Sequence, residues 1–136
     1  MNIATEYINT DFELKSQTSF DALHLELKQE GYVLHYDNEE GDWYLVFESV
    51  TSGGIDDRSA EQDILSIISL LCQLSSKAKS ELAACYLREF NLGFNCGDIA
   101  AYSLSLSAAT VRAIAEVDCS ISVTLYPLHN PNKEKN

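Results

Sequence analysis

The sequence predicts an α+β domain: a mixed, mostly antiparallel sheet of about six strands with helices on one face. Three observations carry this expectation. Residues 8–15 alternate apolar and polar side chains, the period of a strand buried on one side. Residues 64–74 place Ile64, Ile67, Ile68, Leu71 and Leu74 at helical spacing. Segments of both kinds interleave through short polar connections, in the order βαββ-α(α)-ββαβ.

In the first strand Ile8, Thr10, Phe12 and Leu14 point one way, and Asn9, Asp11, Glu13 and Lys15 the other. Thr18 and Asp21 resemble a capping box for a helix over 19–30 that carries Phe20, Leu23 and Leu27 and stops at Gly31. Residues 32–37 and 43–50 read as a hairpin across the polar, glycine-containing loop 38–42. The second of these strands has Trp43, Leu45 and Phe47 on one side and Tyr44 and Val46 on the other, which predicts a central strand or one covered on both faces. Residues 51–58 form a flexible connection. Ser59 and Gln62 then make a capping box for the main core helix, with Glu61 and Asp63 in its first turn, where negative charge suits the helix dipole. A kink at Ser75-Ser76 leads to a short helix over 77–84. Strands follow at Tyr86–Phe94, at Tyr102–Leu106 and at Cys119–Leu125, and Ser107 caps a helix between the last two. One domain over 1–127 and a disordered tail over 128–136 complete the expectation.

Composition narrows the function classes. The four cysteines are 13, 11 and 23 residues apart with no C-x-x-C pair, the pattern of free thiols in a reducing compartment. Neither a leader nor an apolar run long enough for a bilayer is found, so cytoplasmic residence is expected, with no membrane partner. The net charge of −12 is lopsided: residues 1–68 hold 15 acids and 3 bases, whereas residues 69–136 hold 6 of each. Such a chain repels phosphate backbones, so no nucleic-acid binding is expected.

Catalytic signatures are missing as well. There is no phosphate-binding glycine loop and no serine elbow, and the three histidines fall in unrelated segments. Residues 37–48 resemble a calcium loop, but the glycine falls at position five and the flanks read as strands. Neither enzyme activity, metal nor cofactor is therefore expected. What remains is charge. Asp37, Glu39, Glu40 and Asp42 form one acidic cluster, and Asp56, Asp57, Glu61 and Asp63 form another. These eight are the candidate partner-binding residues, suited to a basic protein whose approach they would steer. Tyr36, Trp43 and Tyr44 could anchor such an interface, although a core place is favoured for Trp43.

Two resemblances accompany this reading. The strand Asp42-Trp43-Tyr44-Leu45-Val46-Phe47, the helix Ile64–Leu74 and the closing run Leu104–Ser107, Val111, Ile114-Ala115 and Ile121–Tyr126 resemble an uncharacterised family of small bacterial α+β domains, with which no function comes. In type (small, acidic and without catalytic motifs) the chain also resembles the immunity proteins of contact-dependent or polymorphic toxin systems. That resemblance implies an antitoxin that binds and neutralises a basic toxin domain, such as a nuclease. The alternative is a small-ligand or regulatory domain with a pocket between helices and sheet. Oligomeric state is left open by the sequence.

Overall fold

A computed structural model describes residues 3–50, 59–98 and 100–128. The elements are β1 (Glu6–Ser16), α1 (Asp21–Glu30), β2 (Gly31–Glu39), β3 (Asp42–Ser49), α2 (Ala60–Cys72), α3 (Ser76–Ala84), β4 (Leu87–Asn95), α4 (Ala108–Glu116) and β5 (Ser120–Tyr126). They form one five-stranded sheet in the order β2-β3-β1-β4-β5. Every junction is antiparallel except β4–β5, which is parallel and joined by the crossover through α4. The chain is thus α+β, with a mixed, mostly antiparallel sheet as expected. The connection 51–58 and the tail beyond Leu128 lie outside the described residues.

Strand alternation sorts the sheet into two faces. Thr10, Phe12, Leu14 and Ser16 of β1 and Leu45, Phe47 and Ser49 of β3 are buried, as are Phe90, Leu92 and Phe94 of β4. They meet Leu23 and Leu27 of α1, Ile64, Ile67, Ile68 and Leu71 of α2, Ala78 of α3 and Ile114 of α4 in one core. Phe12 stands opposite Phe47 on one side and Phe90 on the other. Its ring centroid lies 5.0 Å from that of Phe90. Buried rings aligned across three neighbouring strands fix the register, because a slip of one residue would turn each outward.

The structure corrects three sequence expectations. A bulge between Tyr7 and Asn9 shifts the phase of β1, so Tyr7 rather than Ile8 joins Thr10 on the helix side. The cap of α1 is not Thr18: the N-cap position is Phe20, and Glu81 of α3 accepts from the Leu23 N–H at 2.8 Å. β3 is interior to the sheet, the first of the two places expected for it, and is covered on one face only, leaving Tyr44 and Val46 half-buried. The strand expected at 102–106 does not form, and the sheet has five strands rather than six. A strand there would return beside β4 as a hairpin. The parallel start of β5 instead requires the chain to travel back along β4, and this segment makes part of that journey. Its alternation reflects one-sided packing against the sheet face, with Tyr102 edge-on to Phe94 at 5.6 Å.

The other two expected caps are present. Ser59 accepts from the Gln62 N–H at 3.1 Å, and Ser107 from the Thr110 N–H at 3.2 Å. The hairpin is tight: Glu40 (φ 56°) and Gly41 (φ 95°) both take the left-handed conformation between paired Glu39 and Asp42. Positive φ at both turn residues suits a two-residue hairpin.

Two substitutions test this packing. A Cβ at Gly31 would stand 2.5 Å from Phe47 Cζ and 2.8 Å from the backbone oxygen of Glu48. Gly31→Ala is therefore expected to cost ~1–3 kcal/mol in chemical denaturation, because a backbone atom has to move. The Tyr7 hydroxyl donates to Asp63 Oδ2 at 2.5 Å, and Asp63 is fully buried. Tyr7→Phe removes one donor from an interior carboxylate and should cost ~1.5–3 kcal/mol in the same assay.

Candidate functional site: the uncovered acidic sheet face

The face turned away from the helices gathers the carboxylates. The odd-numbered residues of β1 from Asn9 onward point there, beside Tyr44, Val46 and Glu48 of β3 and Glu89 and Asn91 of β4. Glu13 and Glu89 are direct cross-strand partners. Asp11, one position along the same face of β1, lies in the field of Glu48 and Glu13. Ser120, Ser122 and Thr124 continue the face onto β5, and Tyr32 and Asp37 onto β2. Asp11, Glu13, Glu48 and Glu89 are each half-buried by their neighbours in the sheet, with no helix above them.

These acids are held by neutral donors. The Tyr44 hydroxyl donates to Glu13 Oε1, and Asn91 Nδ2 donates to Glu13 Oε2 at 3.0 Å. Asn9 Nδ2 donates to Asp11 at 3.3 Å and approaches Glu48 at 3.5 Å. The Ser120 hydroxyl donates to Glu89 at 3.0 Å. Lys15 is the cation on this face, and its Nζ sits 5.2 Å from the centre of the Tyr44 ring. Among the described residues no lysine or arginine is ion-paired to any of the four carboxylates. Among the described residues the one ionic approach is His35 Nε2 to Glu39 Oε1 at 3.2 Å, without the alignment of a hydrogen bond. Arg88 is committed elsewhere, donating to backbone oxygens of Leu82, Ala83, Cys85 and Asp118.

The electrostatic consequence is visible in the side chains. Burial, then Glu48 and Glu13, push the Asp11 carboxyl up to about 6. Burial and the hydrogen bond to Glu13 raise the Tyr44 hydroxyl well above the ordinary phenol range. Like charges directly across a strand pair are destabilising, so this face costs the fold stability.

The acidic clusters named from sequence fare differently. Asp37, Glu39, Glu40 and Asp42 are on the hairpin. Glu39, Glu40 and Asp42 line, with Lys15 and Tyr44, a shallow hollow of about 330 Å³ that adjoins the acidic face. Asp56 and Asp57 lie outside the described residues. Asp63 is in the interior against Tyr7, so it offers nothing to a partner. Glu61 accepts from the Ser107 N–H at 2.6 Å, and its bonds to Thr110 and Ser107 hold its carboxyl below the usual range. It secures the start of α4.

The described acids of the two clusters do not share one field. The hairpin is beside Ser16 of β1, and Asp63 is bonded to the Tyr7 hydroxyl, which also meets Thr10, so roughly 20 Å of strand at ~3.4 Å per residue separates them. That is more than twice the ~8 Å Debye length. Of the three aromatics named from the sequence, Trp43 is half-buried against the core, its ring 5.2 Å from Tyr36, and Tyr44 alone reaches the acidic face. Asp11 and Glu13 stand in the polar phase of β1, and Glu89 opposes the apolar parity of β4, whereas Glu48 shares its phase with Tyr44 and Val46 and no polar alternation marks it. The gathering of these acids depends on β3 and β4 flanking β1, which no local pattern encodes.

Comparison with protein-family models, with curated proteins and with solved structures gives no significant match, so the site is read from its own chemistry. That chemistry has a pH signature. An acid whose folded pKa is raised loses stability for the fold as pH climbs from its unfolded value near 4 to about 6. Asp11→Asn should therefore stabilise the protein at pH 7.5. Discounted for the half-exposed position, the gain is ~1 kcal/mol. It should fade between pH 6 and pH 4, as read by urea melts across that range.

Proposed function

We propose that this chain is a protein-binding module that receives a basic partner on its uncovered acidic sheet face. In its most specific form it is an immunity protein that neutralises a basic toxin domain. One observation carries the reading: Asp11, Glu13, Glu48 and Glu89 share a helix-free face and are held by neutral donors rather than by cations. A fold that accepts like charges across paired strands keeps negative potential available. A cationic partner relieves that repulsion when it docks. Such a field raises association rates by ~10–10³-fold.

Shape supports the same reading. Tyr32, about half exposed, lies on this face opposite Glu48, and Tyr44 lies at its centre beside Glu13. Amphipathic rings among charges are the usual anchors of protein interfaces. The hairpin acids Asp37, Glu39, Glu40 and Asp42 extend the field at one end. Asp63 is excluded by burial.

The small-ligand alternative has one feature in its favour. A hollow of about 450 Å³ lies between the 100–104 segment and the β4–β5 surface, lined by Leu92, Phe94, Tyr102 and Leu104 among others. It is open and mostly apolar, lined by side chains such as Leu92, Phe94, Leu104, Val123 and Leu125 and by no charged residue. The acidic face is the better-built site.

The test is a quadruple neutral variant, Asp11→Asn, Glu13→Gln, Glu48→Gln and Glu89→Gln. The probe is a basic toxin domain, taken from an open reading frame next to this gene where one is found there, and association rates are followed at 50 and 500 mM NaCl. Wild type should bind quickly at low salt and at least tenfold more slowly at high salt. The variant should bind slowly at both, while folding at least as stably. Equal rates and equal neutralisation for variant and wild type would overturn the proposal.

A further inference from the structure

The two edges of the sheet are built differently. The β2 edge carries His35, Asp37 and Glu39, and it is interrupted by a bulge between Val33 and His35. Charge and bulge are the standard protections against strand addition. The β5 edge has neither. Its sequence, Ser-Ile-Ser-Val-Thr-Leu-Tyr, holds no charge and no proline, and it pairs with β4 in unbroken register. Its outer backbone groups have no strand partner among the described residues.

The side chains of β5 make this edge apolar as well as open. Ile121, Val123 and Leu125 pair with the buried Phe90, Leu92 and Phe94 and share their face. Unlike these neighbours they are 39%, 57% and 61% exposed, because no helix reaches over the outermost strand. Tyr102 and Leu104 extend the same surface and are also exposed.

We propose that β5 pairs antiparallel with β5 of a second copy, joining two sheets into one of ten strands. The strand is self-complementary about Val123. A two-fold axis there sets Val123 against its own copy, Ile121 against Leu125, and Ser122 against Thr124, so apolar meets apolar on one face and hydroxyl meets hydroxyl on the other. Such an interface is isologous and closes as a dimer.

Charge selects the same occupant. The chain carries −12, and contact between two acidic faces would be strongly repelled. Across β5, the nearest sheet-face acid is Glu89 on β4. The two β4 strands would stand three strand spacings apart, roughly 14 Å, beyond the ~8 Å Debye length. Pairing buries the exposed β5 side chains and their neighbours, on the order of 1,000 Å² over both copies, about where a specific interface begins.

The experiment is sedimentation equilibrium of the full chain, with and without Val123→Lys. Leu25→Lys, at an exposed leucine of α1, serves as the control, and far-UV circular dichroism checks the fold. Wild type is expected near 30 kDa, twice the 15.1 kDa chain, with association unchanged or tighter at high salt. Val123→Lys should raise the dimer dissociation constant at least tenfold, and Leu25→Lys should leave it unchanged. A wild type that stays monomeric at 200 µM overturns the proposal, as does a folded Val123→Lys variant that dimerises like wild type. If Val123→Lys does not fold, Leu125→Lys takes its place under the same criteria. The outcome is independent of the acidic-face reading, whose salt dependence runs in the opposite direction.

Discussion

The alignment of Phe12 with Phe47 on one side and Phe90 on the other is the constraint on which the rest of the structure depends. All three rings are fully buried beneath the helices. Because side chains alternate strictly along a strand, placing these rings inward also decides what points outward. Asp11 and Glu13 face solvent because Phe12 and Leu14 cannot. Core and acidic face are two results of one register.

That coupling explains how a fold can tolerate an unfavourable surface. Burial of the apolar set in β1, β3 and β4 holds the strands in place, at ~25 cal/mol per Å² of apolar surface removed from water. Repulsion between half-exposed carboxylates is much weaker and partly screened. The neutral donors Asn9, Tyr44, Asn91 and Ser120 satisfy the oxygens without cancelling their charge. Cations in those places would give a more stable sheet and a weaker external field.

A second acidic group shows the opposite use of the same chemistry. Asp63 and Glu61 open α2, yet both are drawn into structural bonds, Asp63 with Tyr7 and Glu61 with Ser107. A carboxylate at a helix start is favoured by the dipole and readily captured by nearby donors. Identical residue types therefore serve cohesion at one end of the sheet and exposed charge across its open face.

Much of this was open to sequence reasoning. The strand phase of β1, the hairpin, the amphipathic α2 and the caps at Ser59 and Ser107 are written in spacings of two to four residues, and local sterics enforce them. The charge asymmetry follows from composition alone. Three things were decided only in three dimensions. The bulge after Tyr7 changes which residue meets the core, and nothing local marks it. The segment 102–106 has strand alternation but no neighbour to pair with, since β5 takes the place beside β4. The acidic site itself joins β1, β3 and β4 across up to 78 residues of chain, as the Asn91–Glu13 bond shows. Periodicity tells which way a side chain points, whereas strand order tells what it points beside, and strand order is set by the packing of the whole core.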